Sequence, residues 1–160
     1  MRQSIGALGA LCTAALLLTA CNGANSTTPP GTGMTCGGPP SVNQLEVIYP
    51  IPGTKKAPDN LTTIYVATKG TLPPNNSFDF LLTQSNGTST FTGPFVTVNA
   101  SQIPTPHKNP SYANPTYYAT SVSGPSGGYI IGPAQAVNLY WNDGGTGCTP
   151  HFLVSSFSTQ

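Results

Sequence analysis

Short apolar runs separated by turn residues fill the chain from residue 45 to its end. Several runs alternate apolar and polar positions, the period of two that places every second side chain on one face of a strand. β-Branched and aromatic residues dominate them, and none has the 3.6-residue period of an amphipathic helix. We predict strands over 45–49, 62–68, 78–83, 90–92, 95–98, 117–122, 129–131, 137–142 and 152–157.

Two local signals add detail to this pattern. The Asn86-Gly87 pair follows one strand and precedes another, which is a strong hairpin signal. Trp141 occupies an apolar position of an alternating strand, so we predict that it is a large core residue. Seven or more strands with a turn about every ten residues predict an all-β fold, a single β-sandwich of about seven strands.

The first 20 residues have a different pattern. Arg2 is the only charge before Glu46, and an apolar stretch from Ile5 to Ala20 follows it. A membrane span needs about 20 apolar residues, whereas this stretch ends in small residues, which is typical of an export signal. Its last positions, Leu18-Thr19-Ala20-Cys21, resemble the lipobox of bacterial lipoproteins. A retained signal anchor or ordinary secretory cleavage is the alternative.

The lipobox resemblance implies cleavage before Cys21, attachment of a diacylglycerol group to its sulfur, and acylation of the new amino terminus in many bacteria. Each buried methylene adds about 0.8 kcal/mol, so two or three acyl chains anchor a protein durably. The membrane would then be a partner through the lipid on Cys21. The residue after Cys21 is Asn22 and not an Asp. In bacteria that have two membranes, the absence of an Asp at this position implies that the lipoprotein is in the outer membrane.

We divide the chain into three parts on this basis: a signal peptide over 1–20, lipidated Cys21 with a flexible tether over 21–35, and a β-sandwich domain over 36–160. The run from Asn22 to Thr35 consists almost wholly of Asn, Ser, Thr, Pro and Gly. Such a segment is flexible and reaches roughly 20 Å. The domain is therefore expected close to the membrane.

The charge of the exported chain excludes nucleic acids as partners and long-range electrostatic attraction of a charged substrate. The full chain has a formal net charge of +1, and loss of Arg2 with the signal peptide leaves a balance of zero. Nucleic acids are excluded, because binding them needs many Lys or Arg side chains against phosphates. Long-range steering of a charged substrate is excluded for the same reason.

Two cysteines remain for the folded domain. Cys12 would leave with the signal peptide and Cys21 would carry the lipid, so Cys36 and Cys148 are left. In an oxidising compartment we expect them to form a disulfide, which would add on the order of 4 to 5 kcal/mol in the chain-entropy model. Two free thiols or a metal pair are the alternatives, although the spacing is not that of a zinc site.

A second resemblance concerns the first two predicted strands. Tyr49–Thr54, the following Lys55–Asn60 and the strand around Ile64 are similar to the opening of bacterial Ig-like or fibronectin type III-like modules. The resemblance implies an Ig-like sandwich. It departs from the antibody pattern because Cys36 and Cys148 do not occupy the positions of the core disulfide. Such folds imply no particular function.

Three motifs in the chain have some features of catalytic or metal sites. Gly124–Gly128 fits G-x-S-x-G but lacks the following helix that a nucleophile elbow requires. His107 and His151 have no acidic or cysteine neighbours at ligand spacing, and Asn142–Gly145 has too few carboxylates for calcium. We predict no catalytic residue, no cofactor and no metal, and hence no enzyme. A hydrolase with a site that these motifs do not reveal is the alternative.

Aromatic residues are the remaining candidates for ligand contact. Tyr117, Tyr118 and Tyr140 could stack on sugar rings or pack on a protein partner. Neighbours on a strand face opposite ways, so Tyr117 opposes Tyr118 and Tyr140 opposes Trp141. We predict a non-catalytic, lipid-anchored cell-envelope protein for adhesion, assembly or accessory binding. The alternative is a module that binds envelope polysaccharide or peptidoglycan, which a contiguous row of exposed aromatics would favour.

Overall fold

The computed structural model describes residues 37–39, 44–72, 79–122, 131–143 and 149–160. All of these belong to one compact unit, Gly33–Gln160. Several predicted features lie outside the described residues. They are the signal peptide, the tether, the G-x-S-x-G motif, the predicted lipidation site Cys21, and Cys36 and Cys148 of the predicted disulfide.

The described chain forms eight strands and one short 3₁₀ helix. They are β1 (Leu45–Tyr49), β2 (Thr63–Thr68), β3 (Asp79–Gln84), β4 (Ser89–Phe91), β5 (Val96–Val98), the 3₁₀ helix Ala100–Gln102, β6 (Thr116–Ser121), β7 (Ala136–Asn142) and β8 (Phe152–Ser158). The first sheet has the order β1-β2-β6-β5 and the second sheet the order β4-β3-β7-β8. All strand pairs are antiparallel. The predicted all-β class is confirmed. The described residues form eight strands, where about seven were predicted.

Most of the predicted strands match the observed ones to within one or two residues. The exception is the short strand predicted over 129–131, of which only Ile131 is described. Ile131 lies in a bend and is buried. Its apolar character therefore reflects burial in the core rather than pairing in a sheet.

The core lies between the two sheets. Phe80 of β3 and Trp141 of β7 pack edge-to-face with ring centroids 6.2 Å apart, and Phe80 meets Phe95 at 5.2 Å. Ile64 and Val66 of β2 belong to the same buried cluster. Burying each large apolar side chain contributes about 1.5 to 3 kcal/mol. Trp141 is therefore a core residue, as predicted.

The predicted hairpin connects β3 to β4. Gly87 has a φ of +86°, and its amide donates to the carbonyl of Gln84 at 3.0 Å. This is a turn whose last residue needs the left-handed region, the conformation that glycine adopts without strain. Gln135 accepts hydrogen bonds from Ser85 Oγ at 2.9 Å and from the amide of Asn86 at 3.1 Å. The hairpin is thus fixed to the segment that leads into β7.

Residues 99–115, which we call the covering loop, pack on the outer face of the first sheet. Ile103 of this loop is buried against Ile48 of β1 and Ala67 of β2. The hydroxyl of Tyr112 donates to the carbonyl of Ala67 at 2.6 Å. The amide of Lys108 donates to the carbonyl of Ile48 at 3.0 Å. The proline-rich stretch between β5 and β6 is therefore a packed layer of the fold.

One edge of the second sheet is paired with a loop. Residues 53–57 follow β1 and run along β8, where the amide of Gly53 donates to the carbonyl of Ser156 at 2.7 Å. The amide of Ala57 donates to the carbonyl of Ser158 at 2.9 Å, and the amide of Ser158 donates to the carbonyl of Thr54 at 2.8 Å. The last part of β8 therefore has hydrogen-bond partners on both sides.

Candidate functional site

The three tyrosines that the sequence pattern indicates as ligand contacts lie in three different parts of the fold. Tyr118 is buried between the sheets, and its hydroxyl accepts a hydrogen bond from the amide of Leu72 at 2.9 Å. Tyr117 is partly buried on the outer face of the first sheet, against the covering loop. Tyr140 is partly buried on the outer face of the second sheet. Tyr117 and Tyr118 do face opposite ways, as do Tyr140 and Trp141, but the structure does not bring the three tyrosines together.

Tyr140 belongs instead to a row of large side chains across the second sheet. Phe91 of β4 pairs with Leu81 of β3, Leu81 pairs with Tyr140 of β7, and Tyr140 pairs with Leu153 of β8. We call these four residues the apolar row. Its ends are well exposed, Phe91 by 52% and Leu153 by 55%, while Leu81 and Tyr140 are partly exposed.

Strand alternation explains three members of the apolar row. Phe80 and Leu82 of β3 are fully buried, so Leu81 between them points to the outer face. The buried neighbours of Tyr140 turn it outward in the same way. The hairpin at residues 85–87 then sets the register of β4, which places Phe91 opposite Leu81.

A β-bulge in β8 explains the fourth member. Leu139 pairs with Ser155, but its neighbour Tyr140 pairs with Leu153, so Val154 is an extra residue in β8. Without the bulge, Leu153 would follow the inward positions of Ser155 and Phe157. The extra residue turns Leu153 to the outer face, and Val154 packs against the core. The bulge thus completes the row.

Polar side chains border the apolar row on one side. Thr83 of β3 pairs with Ser89 of β4 and with Asn138 of β7, which in turn pairs with Ser156 of β8. We call these four residues the polar row. It lies two residues further along the strands, a distance of about 7 Å.

On the other side of the apolar row is the pair of Asp79 and Asn142. The side-chain amide of Asn142 donates to Oδ1 of Asp79 at 2.8 Å. Burial raises the pKa of Asp79, and the hydrogen bond from Asn142 offsets part of this effect. Asp79 is the only Asp, Glu, Lys or Arg in the four strands of the second sheet. The strands therefore contribute almost no charge to the outer face of this sheet, and Lys55 of the loop 53–57 lines a cleft at its border with Asn138 and Ser156.

Glu46 is a buried carboxylate on β1, and its contacts are with the covering loop. Lys108 Nζ lies 2.5 Å from its Oε2, while the amide of Ser111 donates to Oε1 at 3.1 Å and the Ser111 hydroxyl also donates to Oε1. Burial raises its pKa, but these hydrogen bonds and the Lys108 charge outweigh burial and hold the pKa below the usual range. A cleft of about 300 Å³ adjoins this ion pair. The carboxylate is engaged by the loop and holds it against the sheet.

His107, His151 and Asp143 contact other groups of the chain. His107 Nδ1 lies 3.1 Å from the carbonyl oxygen of Pro104, and the ring of His151 lies against Phe152 with centroids 4.1 Å apart. Asp143 accepts a hydrogen bond from the amide of Gly37. In the described ranges, no group of three His, Cys, Asp or Glu residues is placed to hold a metal ion.

The sequence reasoning singled out Tyr140 but missed its three neighbours in the row. Period-two alternation and the Asn-Gly hairpin signal were sufficient to place Leu81 and Phe91 together on one face. No local signal could have found Leu153, because the bulge that turns it outward depends on pairing with β7.

Among the described residues, no helix has the length and hydropathy of a membrane-spanning segment.

Comparison with protein-family models, with curated proteins and with solved structures finds no match for this chain. What it binds therefore has to be inferred from the chemistry of its own surfaces. The outer face of the second sheet, with its apolar row between polar borders, is the surface on which such an inference can rest.

Proposed function

We propose that this protein is a non-catalytic, lipid-anchored binding protein of the bacterial cell envelope, and that it binds its partner with the outer face of the second sheet. The observation that carries the proposal is the apolar row. Contiguous exposed apolar side chains with a polar border mark interaction sites on soluble domains. Phe91 and Leu153 each expose more than half of their surface there.

The envelope location rests on the amino-terminal sequence. The lipobox-like residues 18–21 support export and attachment through the lipid on Cys21, at the outer membrane in bacteria that have two membranes. The segment 22–35 would let the domain move roughly 20 Å from the surface. The binding face would thus be presented close to the membrane, to components of the same envelope.

An Ig-like type of sandwich is part of the proposal, and the strand order supports it. Naming the eight strands A, B, C, C′, D, E, F and G in chain order gives sheets A-B-E-D and C′-C-F-G. Immunoglobulin constant-type domains have sheets ABED and CFG. Trp141 departs from that pattern, because it stands on the seventh strand rather than on strand C.

The non-catalytic role is supported by the ionisable side chains of the described chain. Glu46 is engaged by Lys108 and Ser111, and Asp79 by Asn142. A general acid or base must be free to reach a substrate proton. Of the four carboxylates, Glu46 and Asp79 instead hold parts of the fold together, Asp143 accepts a hydrogen bond from the amide of Gly37, and Asp59 is exposed.

Binding to envelope fractions tests this function. The full-length Cys21→Ser variant, collected as an unlipidated protein, should bind saturably to purified envelope material. Exchange of both ends of the apolar row, Phe91→Ser with Leu153→Ser, should weaken binding by about ten-fold or more. The control is Val96→Ser, which changes an equally exposed apolar residue (60%) on β5 of the first sheet.

Two results would contradict the proposal. One is binding by the double variant that equals that of the parent protein. The other is the absence of saturable binding to any envelope fraction. Membrane retention of the Cys21→Ser variant in cells would separately contradict the lipid anchor.

A further inference from the structure

We propose that the ligand of the outer face of the second sheet is a neutral polysaccharide, which crosses the four strands with one sugar ring over each side chain of the apolar row. This inference rests on the proposed function, because it names the ligand class for the same surface. Spacing, polarity and charge of the face carry it independently of one another.

The spacing of the apolar row fits a sugar chain. Its four members come from four adjacent strands, and neighbouring strands lie about 4.8 Å apart, so the row extends about 14 Å. One pyranose ring in an extended chain has a length close to one strand spacing. A chain running perpendicular to the strands therefore meets Phe91, Leu81, Tyr140 and Leu153 in succession.

The side chains of the row suit the apolar faces of sugar rings. Phe91 and Tyr140 present aromatic rings, which pack well against the C–H groups on one face of a pyranose. Leu81 and Leu153 extend the same contact at the positions between and beyond them. A row one residue wide is the width that a single extended chain can cover.

The borders of the row suit the hydroxyl groups at the edges of the rings. Thr83, Ser89, Asn138 and Ser156 offer hydroxyl and amide groups that both donate and accept hydrogen bonds. The Asp79 and Asn142 side chains lie on the opposite border. A sugar chain on the row would thus have hydrogen-bonding partners along the whole of one edge and, from the two middle strands, at the centre of the other.

The charge of the face selects a neutral ligand. No Lys or Arg occurs in the four strands, and Lys55 of the loop 53–57, which lines a cleft with Asn138 and Ser156, is a single counter-charge at the border of the face, too little to hold an anionic polymer. A cationic ligand would meet only Asp79, which already accepts a hydrogen bond from Asn142. An uncharged chain loses no ionic solvation when it binds to such a surface.

A second copy of this chain is the competing occupant of the row. Stable protein interfaces bury about 800 Å² per partner around a broad apolar centre. The apolar centre here is a single row with polar residues on both sides, and its two middle members are only partly exposed. The narrow shape favours a linear chain over a protein surface.

Affinity electrophoresis and calorimetry test the inference. The full-length Cys21→Ser protein would be run through gels that contain neutral β-1,4-glucan, β-1,4-mannan or chitin oligomers, with polygalacturonate as the anionic comparison. We expect retardation by at least one neutral polymer and none by the anionic one. Affinity for the matching oligosaccharides should rise with length and level off at about four rings, one per strand.

Variants separate the row from the rest of the surface. Phe91→Ala and Tyr140→Ala should each weaken binding by about ten-fold. Tyr140→Phe keeps the ring and should retain most of the affinity, which distinguishes loss of stacking from loss of folding. Val96→Ala on β5 is the matched exposed control and should bind like the parent protein.

Several outcomes would overturn the inference. Binding of envelope fractions that depends on the row, without binding to any neutral polysaccharide, would leave the proposed function standing and refute this ligand class. So would binding to polygalacturonate alone. Concentration-dependent dimers that Phe91→Ala abolishes would identify a second copy as the occupant. Neutral polysaccharide binding that is insensitive to the row variants would place the site elsewhere.

Discussion

The backbone amide of Gly37 donates a hydrogen bond of 2.6 Å to Oδ2 of Asp143, which joins two segments 106 residues apart. Gly38 also lies against the ring of Phe152, at the start of β8. Gly37 directly follows Cys36, and Cys148 comes five residues after Asp143. A residue next to Cys36 is therefore in contact with one that lies five positions before Cys148.

The first prediction is a disulfide between Cys36 and Cys148. In the exported protein, both thiols should resist alkylation under denaturing, non-reducing conditions and react after reduction. The Cys36→Ser variant should lose about 2 to 5 kcal/mol of unfolding free energy, measured in urea, because the open unfolded chain has more conformations. Free alkylation of both thiols before reduction would contradict the prediction. Cys12→Ser serves as the control, since its signal peptide would be removed.

The second prediction concerns acid stability through Glu46. Its pKa is lowered in the folded state, so its favourable contribution is complete above the unfolded value of about 4.3 and is lost as the pH falls through the lower folded value. Unfolding in urea should therefore become easier below about pH 4.3. At neutral pH, Glu46→Gln should cost about 1 to 3 kcal/mol, because charge-assisted bonds to the covering loop are lost.

A matched acid provides the control for Glu46. Asp59 is exposed, and Asp59→Asn should leave the free energy of unfolding at neutral pH nearly unchanged. If Glu46→Gln is as stable as the parent protein at neutral pH, the carboxylate does not hold the loop. If its acid dependence is also unchanged, the pKa of Glu46 is not lowered.

The third prediction concerns Ser155 on β8. Its Oγ is buried and has no hydrogen-bond partner, the one such side-chain atom among the described residues. A buried polar group without a partner costs about 1 to 3 kcal/mol, so Ser155→Ala should raise the unfolding free energy by about 1 kcal/mol. Ser156→Ala, at the exposed next position, should change it little. A destabilised Ser155→Ala protein would show that the hydroxyl has a partner.

The fourth prediction concerns the turn between β3 and β4. Gly87 has a φ of +86°, and a methyl group added to its Cα would have no atom within 4 Å. An alanine there would therefore have a strained backbone but no steric clash. Gly87→Ala should cost about 1 to 2 kcal/mol from the left-handed conformation alone. Gly132→Ala is the control, because that glycine has no such φ and its nearest contact is 3.8 Å. Equal thermal midpoints for the two variants would contradict this account.

Alternation along the chain was sufficient to predict most of the strands and the burial of Trp141, because a two-residue period is a local property. It also predicted that Tyr117 and Tyr118 face opposite ways. What covers each outer face could not be predicted locally. Tyr117 is partly buried because the covering loop folds back over it. The loop is held there by hydrogen bonds to Glu46 and Ala67, which are distant from it in the sequence.

At the candidate site, too, local sequence signals predict the position of some residues and not of others. Leu81 and Phe91 follow from alternation and a turn signal. Leu153 depends on a bulge, and a shift of one residue in the pairing of β8 with β7 would turn it to the opposite face. A register between distant segments is set by the packing of the whole sandwich, so it leaves no mark in the nearby sequence.

The pairing of residues 53–57 with β8 has a consequence for crowding. Open strand edges act as templates on which another chain can add, and repeated addition leads to fibres. The proposed lipid anchor would concentrate many copies in one plane, with their apolar rows within reach of each other. Because the carbonyls of Ser156 and Ser158 already accept hydrogen bonds from the loop, a neighbouring copy would find no free acceptor in them to pair with at this end of β8. If the anchor and the binding face are as proposed, the loop would let the apolar row be displayed at high density without polymerisation along that edge.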